Sequence, residues 1–363
     1  MRVKLKDITK FSKGTQINGK NLIDDGAYSY LNGGIKPSGK WNEFNVAENT
    51  VTISEGGNSS GYVNYMNEAF WCGAHCYYLY DGPKNSKYLY YALKSQQERL
   101  FRIRSGACMP NIKKSDLGNF IIEYKEDETR QEEVVKVLEK CELLIEDYNK
   151  KLALLDEAVR ARFVEMFGDP NYNPKGYKKD IIKDHIDLLS GYPFKSENYV
   201  DSGINICGGL VIMPQKIKWE ECVHWKSAIG YENYLLNNND IVMALDRPWI
   251  SEGFKIAKVD SKHLPALLIQ RTVRIRSIDM NQDYLYYCFI CGGFNKHCNV
   301  TGSLVPHISS KDIKSFEVML PPLELQNQFA SFVQEIDKSR SRIQKSLEAS
   351  QELFDSLMQE YFG

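Results

Sequence analysis

Two short strings of this chain have spacings that could serve chemistry. Residues 14–20 have the glycines and lysine of a phosphate-binding loop, but Asn21 stands where such a loop needs a Ser or Thr to hold Mg²⁺. Residues 57–61 have the Gly-x-Ser-x-Gly spacing of a nucleophile elbow, but residues 62–65 predict a strand where that motif requires a helix. We therefore expect neither a nucleotide site nor a catalytic serine.

A third string could bind zinc, because Cys288-x-x-Cys291 is followed closely by His297 and Cys298. An internal repeat described below aligns these positions with residues that are not metal ligands, namely Ala92, Ser95, Phe101 and Arg102. A structural zinc site is normally required by its fold, so we favour small side chains on a helix and predict no metal. The cluster Cys72, His75 and Cys76 lies in an apolar stretch and is predicted to belong to the core.

Polar and basic side chains in loops are the remaining candidates for function. Arg, Lys, Asn and Gln can hydrogen-bond base edges, and Gly and Ser loops allow a close approach to phosphates. In the first half of the chain the predicted DNA-binding residues are Lys13, Gln16, Lys20, Lys36, Lys40, Asn58, Ser59, Arg102 and Arg104. In the second half they are Lys195, Ser196, Asn198, Arg247, Trp249 and Lys296.

These residues are distributed over an internal repeat. Tyr88-Leu89-Tyr90-Tyr91 recurs as Tyr284-Leu285-Tyr286-Tyr287, an offset of 196 residues. The same offset relates Gly106, Pro110, Ile112, Asp116 and Phe120 to Gly302, Pro306, Ile308, Asp312 and Phe316, with Ser105 facing Thr301. Nearer the start of each copy the offset is 177, as for Gly14 and Gly191, so the second copy carries an insertion of about 19 residues. Such insertions are expected in loops.

Each copy is followed by a long heptad pattern. Apolar residues recur at alternating steps of four and three from Val134 to Met166, and again from Phe329 to Tyr361. Gly168 after the first pattern and Pro321-Pro322 before the second are typical boundaries. The patterns predict two helices of about 40 residues, each about 60 Å long. Arg162, Arg340 and Ser350 are polar seam positions, which more often set register than serve function.

The sequence thus predicts an α+β fold class, with two pseudo-repeated α/β domains separated by two long helices that form an antiparallel coiled coil. The predicted parts are a first domain at 1–125, a central helix at 126–168, a second domain at 169–320 and a C-terminal helix at 321–363. The two domains carry net charges of +6 (1–125) and +2 (171–320), while the helical regions carry −6 (126–170) and −3 (321–363).

Composition limits the class of protein. A hydrophobic fraction of 43% and a charged fraction of 26% are typical of a globular protein. Neither a membrane span nor a signal peptide is predicted, so we expect a cytoplasmic protein whose nine cysteines are reduced thiols. We find no adenine-methyltransferase motif, no S-adenosylmethionine glycine loop and no nuclease centre, and we therefore predict a non-catalytic chain.

Over nearly its whole length the sequence resembles the specificity subunits of Type I restriction-modification systems. The resemblance rests on the order of several strings around the two heptad helices: residues 191–196, residues 268–271, the pattern Gly302-x-x-x-Pro306-x-Ile308, and residues 318–326. The first copy departs from it at residues 124–128, keeping only Gln131 against Gln326, and has His75 at the position of Arg271.

The resemblance implies that each domain is a target-recognition domain for one half of a bipartite double-stranded DNA site, and that the helices fix the unread spacer. Heads about 60 Å apart could address grooves one to two helical turns apart. It also implies two methyltransferase (modification) subunits and restriction/translocase subunits as partners in phage defence. Those partners would carry S-adenosylmethionine, Mg²⁺ and ATP and perform the adenine methylation and restriction, with no cofactor in this chain.

Three other interpretations stay open at this point. The same reader could serve a Type IIB-like nuclease-methyltransferase, which sequence barely distinguishes. A coiled-coil scaffold with two protein-binding heads would fail to bind DNA at any salt concentration. An enzyme in its own right, such as a zinc-dependent one, would reveal itself in a metal assay.

Overall fold

The computed structural model describes residues 1–106, 108–298 and 307–363. Contacts divide the chain into two compact units, one formed by residues 1–150 and 344–363 and the other by residues 151–343. Three residues of the predicted repeat, Thr301, Gly302 and Pro306, lie outside the described residues.

The first unit is built on a four-stranded antiparallel sheet. Its strands lie in the order Lys10–Lys13, Cys76–Tyr80, Thr50–Ser54 and Val63–Met66. A three-stranded sheet has Tyr28–Leu31 between Gly39–Trp41, which is antiparallel to it, and Phe70–Cys72, which is parallel. Arg2–Lys4 pairs with Ile121–Glu123, so the first and last strands of the domain are neighbours. The shorter helices are Leu5–Ile8, Ser86–Lys94, Gln97–Arg102, Lys114–Gly118 and the 3₁₀ turn Gly19–Asn21.

The second unit repeats this topology strand for strand. The four-stranded order is Ile186–Ser190, Thr272–Ser277, Ile241–Ala244 and Ile256–Lys258. The three-stranded sheet is His224–Trp225, Ile204–Cys207 and Ala266–Leu268, and Lys179–Ile181 pairs with Glu317–Met319. The shorter helices are Gln282–Cys291, Phe294–His297 and Ser310–Lys314, with 3₁₀ turns at Ile182–Asp184, Ser196–Asn198, Trp219–Glu221, Glu232–Tyr234 and Ser261–His263. The predicted internal repeat is therefore confirmed at the level of strand order.

The extra length of the second domain is spread over several loops rather than forming one insertion. It includes a hairpin of Ile212–Met213 with Lys216–Ile217 and another of Trp249–Ile250 with Gly253–Phe254. Among the described residues of the first domain, neither hairpin has a strand counterpart. Both lie between strands that the two domains share, as expected for insertions tolerated at the surface.

The paired glycines Gly14 and Gly191 illustrate why the repeat retains certain residues. A Cβ atom added to Gly14 would lie 1.9 Å from the carbonyl oxygen of Cys72, and one added to Gly191 would lie 1.9 Å from that of Ile269. Backbone therefore passes against backbone at the same place in each domain. Only glycine permits that approach.

Two helices of 40 residues each follow the domains, as predicted: the central helix, Glu128–Phe167, and the C-terminal helix, Leu323–Phe362. Gly168, with φ of +81°, ends the central helix in the left-handed conformation that glycine adopts readily. Gln131 and Gln326 stand at equivalent helix starts, and each donates from Nε2 to a preceding carbonyl, that of Lys125 at 2.5 Å and that of Pro321 at 2.8 Å.

The heptad seam packs the two helices antiparallel within each unit. In the first unit Val134 and Leu138, near the start of the central helix, share a core with Met358 and Phe362 at the end of the C-terminal helix. In the second unit Phe163, near the end of the central helix, and Phe329, near the start of the C-terminal helix, have ring centroids 5.5 Å apart. Truncating either phenylalanine to Ala would cost about 3–5 kcal/mol.

The helices bearing the repeated tyrosines join each sheet to the heptad seam. Tyr88 packs at 5.1 Å from the ring of Phe362, and Tyr284 at 4.7 Å from that of Phe167. Both tyrosines are essentially fully buried. One continuous core in each unit therefore links a globular domain to its segments of the long helices.

Candidate nucleic-acid interface

At one end of the four-stranded sheet of the first domain, four loops are joined by hydrogen bonds. The loop after strand Thr50–Ser54 donates from Gly57 N to Pro110 O at 2.9 Å, and the Ser59 hydroxyl donates to Gly33 O at 2.5 Å. Glu55 N donates to His75 O at 2.8 Å. These bonds hold a polar surface in place without regular secondary structure.

A carboxylate lies at the centre of this surface. Glu55 accepts from Lys13 Nζ at 2.7 Å through Oε1, and its Oε2 lies 3.4 Å from His75 Nδ1. The Glu55 side chain is only 14% exposed, whereas those of Lys13 and His75 are 45% and 59% exposed. The carboxylate therefore anchors two cationic or polar groups that face solvent.

The second domain has a comparable carboxylate, Asp246, with different partners. Asp246 accepts from Arg271 Nη1 at 2.7 Å through Oδ2, and its Oδ1 lies 2.6 Å from His307 Nδ1. Burial opposes ionisation of Asp246, but the hydrogen bonds from His307 and Arg271 outweigh it, so the pKa of Asp246 falls below its ordinary value. Asp246 is therefore an anion near neutral pH.

The backbone frame around the two carboxylates is the same. Glu55 N donates to His75 O just as Leu245 N donates to Arg271 O, at 2.8 and 2.9 Å. Gly56 bridges Asn111 in one domain, and Asp246 bridges His307 in the other. Glu55 therefore corresponds to Leu245 and Asp246 to Gly56, so the two carboxylates stand one position apart on the same scaffold, while His75 and Arg271 are equivalent.

Several predicted residues of the first domain meet at this surface. Lys13 is held by Glu55, as described, and Arg104 Nη1 donates to Asn58 O at 3.3 Å. The Arg104 guanidinium also lies 4.6 Å from the centroid of the Phe101 ring, which fixes its plane. Ser59 is half-buried, and its hydroxyl is already engaged with Gly33 O, so it supports the loops.

The other predicted residues of the first domain are exposed but separate from that group. Arg102 lies on helix Gln97–Arg102, and Lys36 lies in the loop that begins after strand Tyr28–Leu31. Lys20 lies in the turn Gly19–Asn21, and the segment that follows this turn bonds to Lys40, since Ile23 N donates to Lys40 O at 3.1 Å. Gln16 is exposed, and its Nε2 donates to the neighbouring Ile17 O at 3.2 Å.

In the second domain the predicted residues fall into three places. Lys195, Ser196 and Asn198 are exposed at the turn Ser196–Asn198, the counterpart of the turn that holds Lys20. Arg247 is exposed beside Asp246, in the left-handed conformation with φ of +44°. Lys296 is exposed on the short helix Phe294–His297, remote in sequence from both.

The Trp249 ring is partly covered by other aromatic rings, which limits the surface that it could stack on a DNA base. Its ring stacks on that of Phe254 at 4.9 Å with an angle of 16° and packs against the buried Phe294. Both contacts belong to the hydrophobic core of the second domain. Trp249 therefore supports the hairpin that carries it.

His75 was predicted to be a core residue, and that prediction is wrong. Cys72 and Cys76 are buried as expected. Cys72 ends one strand and Cys76 begins the next strand of the chain, and His75 lies in the exposed turn between them. An apolar stretch was taken as one strand, whereas the chain reverses within it. Arg271 occupies the corresponding turn between strands Ala266–Leu268 and Thr272–Ser277.

Sequence reasoning also missed the carboxylates Glu55 and Asp246, together with His307, as members of the surface. The sequence offered one clue to this surface, the alignment of His75 with Arg271 in the repeat. A position where two copies of a repeat differ in side chain is a candidate for a role that differs between the domains. The pairing of each turn with a carboxylate on another strand is a long-range contact. A repeat in sequence does not reveal it.

The catalytic-looking strings do not form sites among the residues described. Residues 14–20 are preceded by an edge strand and followed only by a 3₁₀ turn, and residues 57–61 lead into strand Val63–Met66. Within the described ranges, no group of three or more His, Cys, Asp or Glu residues could hold a metal ion. Burial raises the pKa of Cys291 to about 11 and that of Cys298 to about 12.

No helix among the described residues is both long and apolar enough to cross a membrane. The two longest, the central and C-terminal helices, are rich in charged residues outside their seam.

Comparison with known proteins identifies the family. The family model described as the Type I restriction modification DNA specificity domain matches residues 1–156 and 179–351. A Mycoplasma pneumoniae sequence assigned to the type I specificity subunits is 37% identical over 149 residues, covering 40% of this chain and 40% of the relative. The type I restriction enzyme MjaVIII specificity subunit of Methanocaldococcus jannaschii is 26% identical over 284 residues, covering 71% of this chain and 67% of the relative.

The fold is also found in a solved structure. The type I restriction-modification S subunit from M. genitalium superposes with a TM-score of 0.65 at 19% identity, covering 100% of this chain and 96% of that one. The family match includes both copies of the repeat and most of both long helices. The chain therefore belongs to the Type I restriction-modification DNA specificity family.

Proposed function

We propose that this chain is the DNA-reading subunit of a Type I restriction-modification complex, in which each domain reads one half of a bipartite site. The observation that carries the proposal is the duplicated scaffold, whose equivalent turns carry His75 in one domain and Arg271 in the other, each beside a carboxylate, Glu55 or Asp246. A protein that reads two different half-sites needs one geometry and two side-chain sets.

In this proposal the long helices set the number of unread base pairs between the half-sites. Each helix is continuous for 40 residues, and each contributes residues to both compact units. A coiled-coil seam is stiff along its length, so the spacing would be fixed by residue count. The net negative charge of the helical regions argues that they do not follow the DNA backbone.

We infer that chemistry resides in partner subunits. Two modification subunits would bind S-adenosylmethionine and methylate adenine, and restriction/translocase subunits would use ATP and Mg²⁺ to translocate and cut. The complex would act on DNA in the cytoplasm. This chain would contribute no catalytic residue, in keeping with the specificity subunits to which it is related. A net charge of −1 suits a reader whose partners supply part of the basic surface.

The test is co-expression of the chain with the modification subunit encoded beside it, followed by single-molecule sequencing for N6-methyladenine. We expect a motif of two short constant stretches around a gap of fixed length. Replacing residues 171–320 with the corresponding region of another family member should change one stretch and leave the other intact. The control is the unmodified chain in the same host.

Two results would contradict the proposed function. If the assembled complex yields no methylation and binds no DNA at any salt concentration, the reading function fails and a protein-binding scaffold takes its place. A methylated but continuous motif, without a gap, would contradict the division of reading between two domains.

A further inference from the structure

The turn that carries Arg271 is held in a conformation that a residue with a Cβ rarely adopts. Arg271 has φ of +63°, in the left-handed region. Its carbonyl accepts from Leu245 N at 2.9 Å, and the preceding Gln270 N donates to Tyr192 O at 2.8 Å. Neighbouring strands thus impose the conformation. Such strained positions cluster at functional sites.

The Arg271 side chain is presented rather than buried. It is 75% exposed, and Asp246 accepts one of its five N–H donors at 2.7 Å. A carboxylate bound to one end of a guanidinium fixes its plane, which restricts a long side chain that would otherwise sample many rotamers. A guanidinium has further donors besides the one that Asp246 accepts, and the exposure of the Arg271 side chain leaves that group accessible to a ligand.

The electrostatics of the cluster favour a neutral acceptor over a phosphate. Asp246 is only 34% exposed, and its negative charge lies within hydrogen-bonding distance of both Arg271 and His307. A phosphate approaching Arg271 would be repelled by that carboxylate. The major-groove edge of guanine offers two acceptors, O6 and N7, that match the fork without adding an anion.

We propose that Arg271 contacts a guanine in the half-site read by the second domain, and that Asp246 is its positioning residue. This inference rests on the proposed function. In the first domain His75 occupies the equivalent turn beside Glu55, so the corresponding base pair there is read by a different, shorter side chain. Neither Arg271 nor His75 is among the DNA-binding residues that the sequence predicted.

The experiment uses the complex of this chain with its modification subunits and determines the methylated motif for Arg271→Ala, Arg271→Lys and Asp246→Asn. We expect one guanine of the second half-site to become degenerate in Arg271→Ala, because a bidentate contact gives roughly 5- to 150-fold discrimination. Arg271→Lys keeps the charge but loses the fork, so it should lose the same discrimination. Asp246→Asn should weaken it at that same position only.

Controls separate base reading from other roles. Lys262→Ala removes an exposed cation of the same domain and should leave the motif unchanged. The first half-site should be unaffected in every Arg271 variant. If a variant complex is inactive, competition binding with duplexes that differ at the single guanine replaces the methylation readout, so that loss of folding is not mistaken for loss of reading.

The outcomes are distinct. An unchanged motif in Arg271→Ala, or full discrimination in Arg271→Lys, overturns the inference, the latter by indicating a phosphate contact. Degeneracy at every position of the half-site also overturns it, because that result indicates a general loss of docking. Failure of the unmodified complex to produce any split motif would instead refute the proposed function.

Discussion

Arg340 of the C-terminal helix and Asp156 of the central helix form an ion pair across the heptad seam, with Nη2 and Oδ1 2.7 Å apart. The N–H groups are not aligned on that oxygen, so the contact is Coulombic rather than a hydrogen bond. Arg340 was predicted as a polar seam position, and the structure supplies its partner. A polar pair in a largely apolar seam penalises other registers of the helices.

We expect Arg340→Ala to lower the free energy of unfolding by about 0.5–1 kcal/mol, because both side chains are about one-third exposed and the ion pair is partly screened. Urea denaturation of Arg340→Ala, Asp156→Ala and the double variant measures the coupling between them. Additive effects would show that the pair contributes nothing beyond its individual side chains.

The length of the helices should control the spacer of the DNA site. Inserting seven residues after Lys150 and seven after Ile343 preserves the heptad seam and adds about 10 Å to each helix. We expect the gap in the methylated motif to grow by about three base pairs, at about 3.4 Å per pair. A matched variant with the insertion in one helix alone should lose activity. An unchanged gap would contradict the role of the helices as spacer.

Tyr91 ties the first domain to the central helix. Its buried hydroxyl donates to Glu142 Oε2 at 2.6 Å, and burial together with that hydrogen bond raises the pKa of Tyr91 well above its ordinary value. Tyr91→Phe should cost about 1–2 kcal/mol in urea denaturation, since Glu142 keeps a partner in Lys87 at 3.6 Å. Glu142→Gln tests the ion pair separately. Wild-type stability in Tyr91→Phe would count against this role.

Acid should destabilise the second domain through Asp312. Burial opposes ionisation, but hydrogen bonds from the Ser309 hydroxyl and backbone in a capping box outweigh it and lower the pKa of Asp312 below 3.8. A carboxyl whose pKa is depressed on folding contributes stability above its unfolded pKa and loses it as pH falls through its folded pKa. Urea midpoints measured from pH 6 to pH 3 should fall less steeply for Asp312→Asn than for the unmodified chain. Parallel curves would refute this assignment.

Lys20 and Lys40 should act on the DNA backbone. Each is exposed, and neither forms an ion pair within the described residues. Removing one phosphate contact by Lys20→Ala or Lys40→Ala should reduce the salt slope of DNA binding by about 0.9 and weaken binding to all sequences alike. Lys84→Ala, which removes a lysine paired with Glu128, is the control. A changed motif would indicate base reading instead.

The parts of the fold that sequence predicted are those with local periodicity. The seam from Val134 to Met166 repeats every seven residues, so it identified the central helix without knowledge of any distant contact. The tyrosine strings were found instead because they recur at an offset of 196 residues. The parallel pairing of Tyr28–Leu31 with Phe70–Cys72 joins segments about 40 residues apart, and no local pattern encodes it.

For the candidate site, the sequence predicted the kinds of side chain in the loops but not all of the residues that lie there. Arg104 and Lys13 were selected as basic loop residues, and they do lie beside the loop after strand Thr50–Ser54. Trp249 was selected as a member of the polar and basic loops, yet the neighbouring hairpin strand supplies Phe254, which stacks on its ring. Arg271 was missed because its presentation depends on a left-handed turn that only the surrounding strands impose.

The division of the chain into units has a consequence during synthesis. The unit that contains residues 1–150 is completed only by residues 344–363, which supply Met358 and Phe362 to the core beneath Val134 and Leu138. A ribosome adding about 5–20 residues per second needs roughly 10–40 s to produce the intervening chain. For that interval the nascent protein carries an uncovered apolar stripe, which is the kind of surface that chaperones bind.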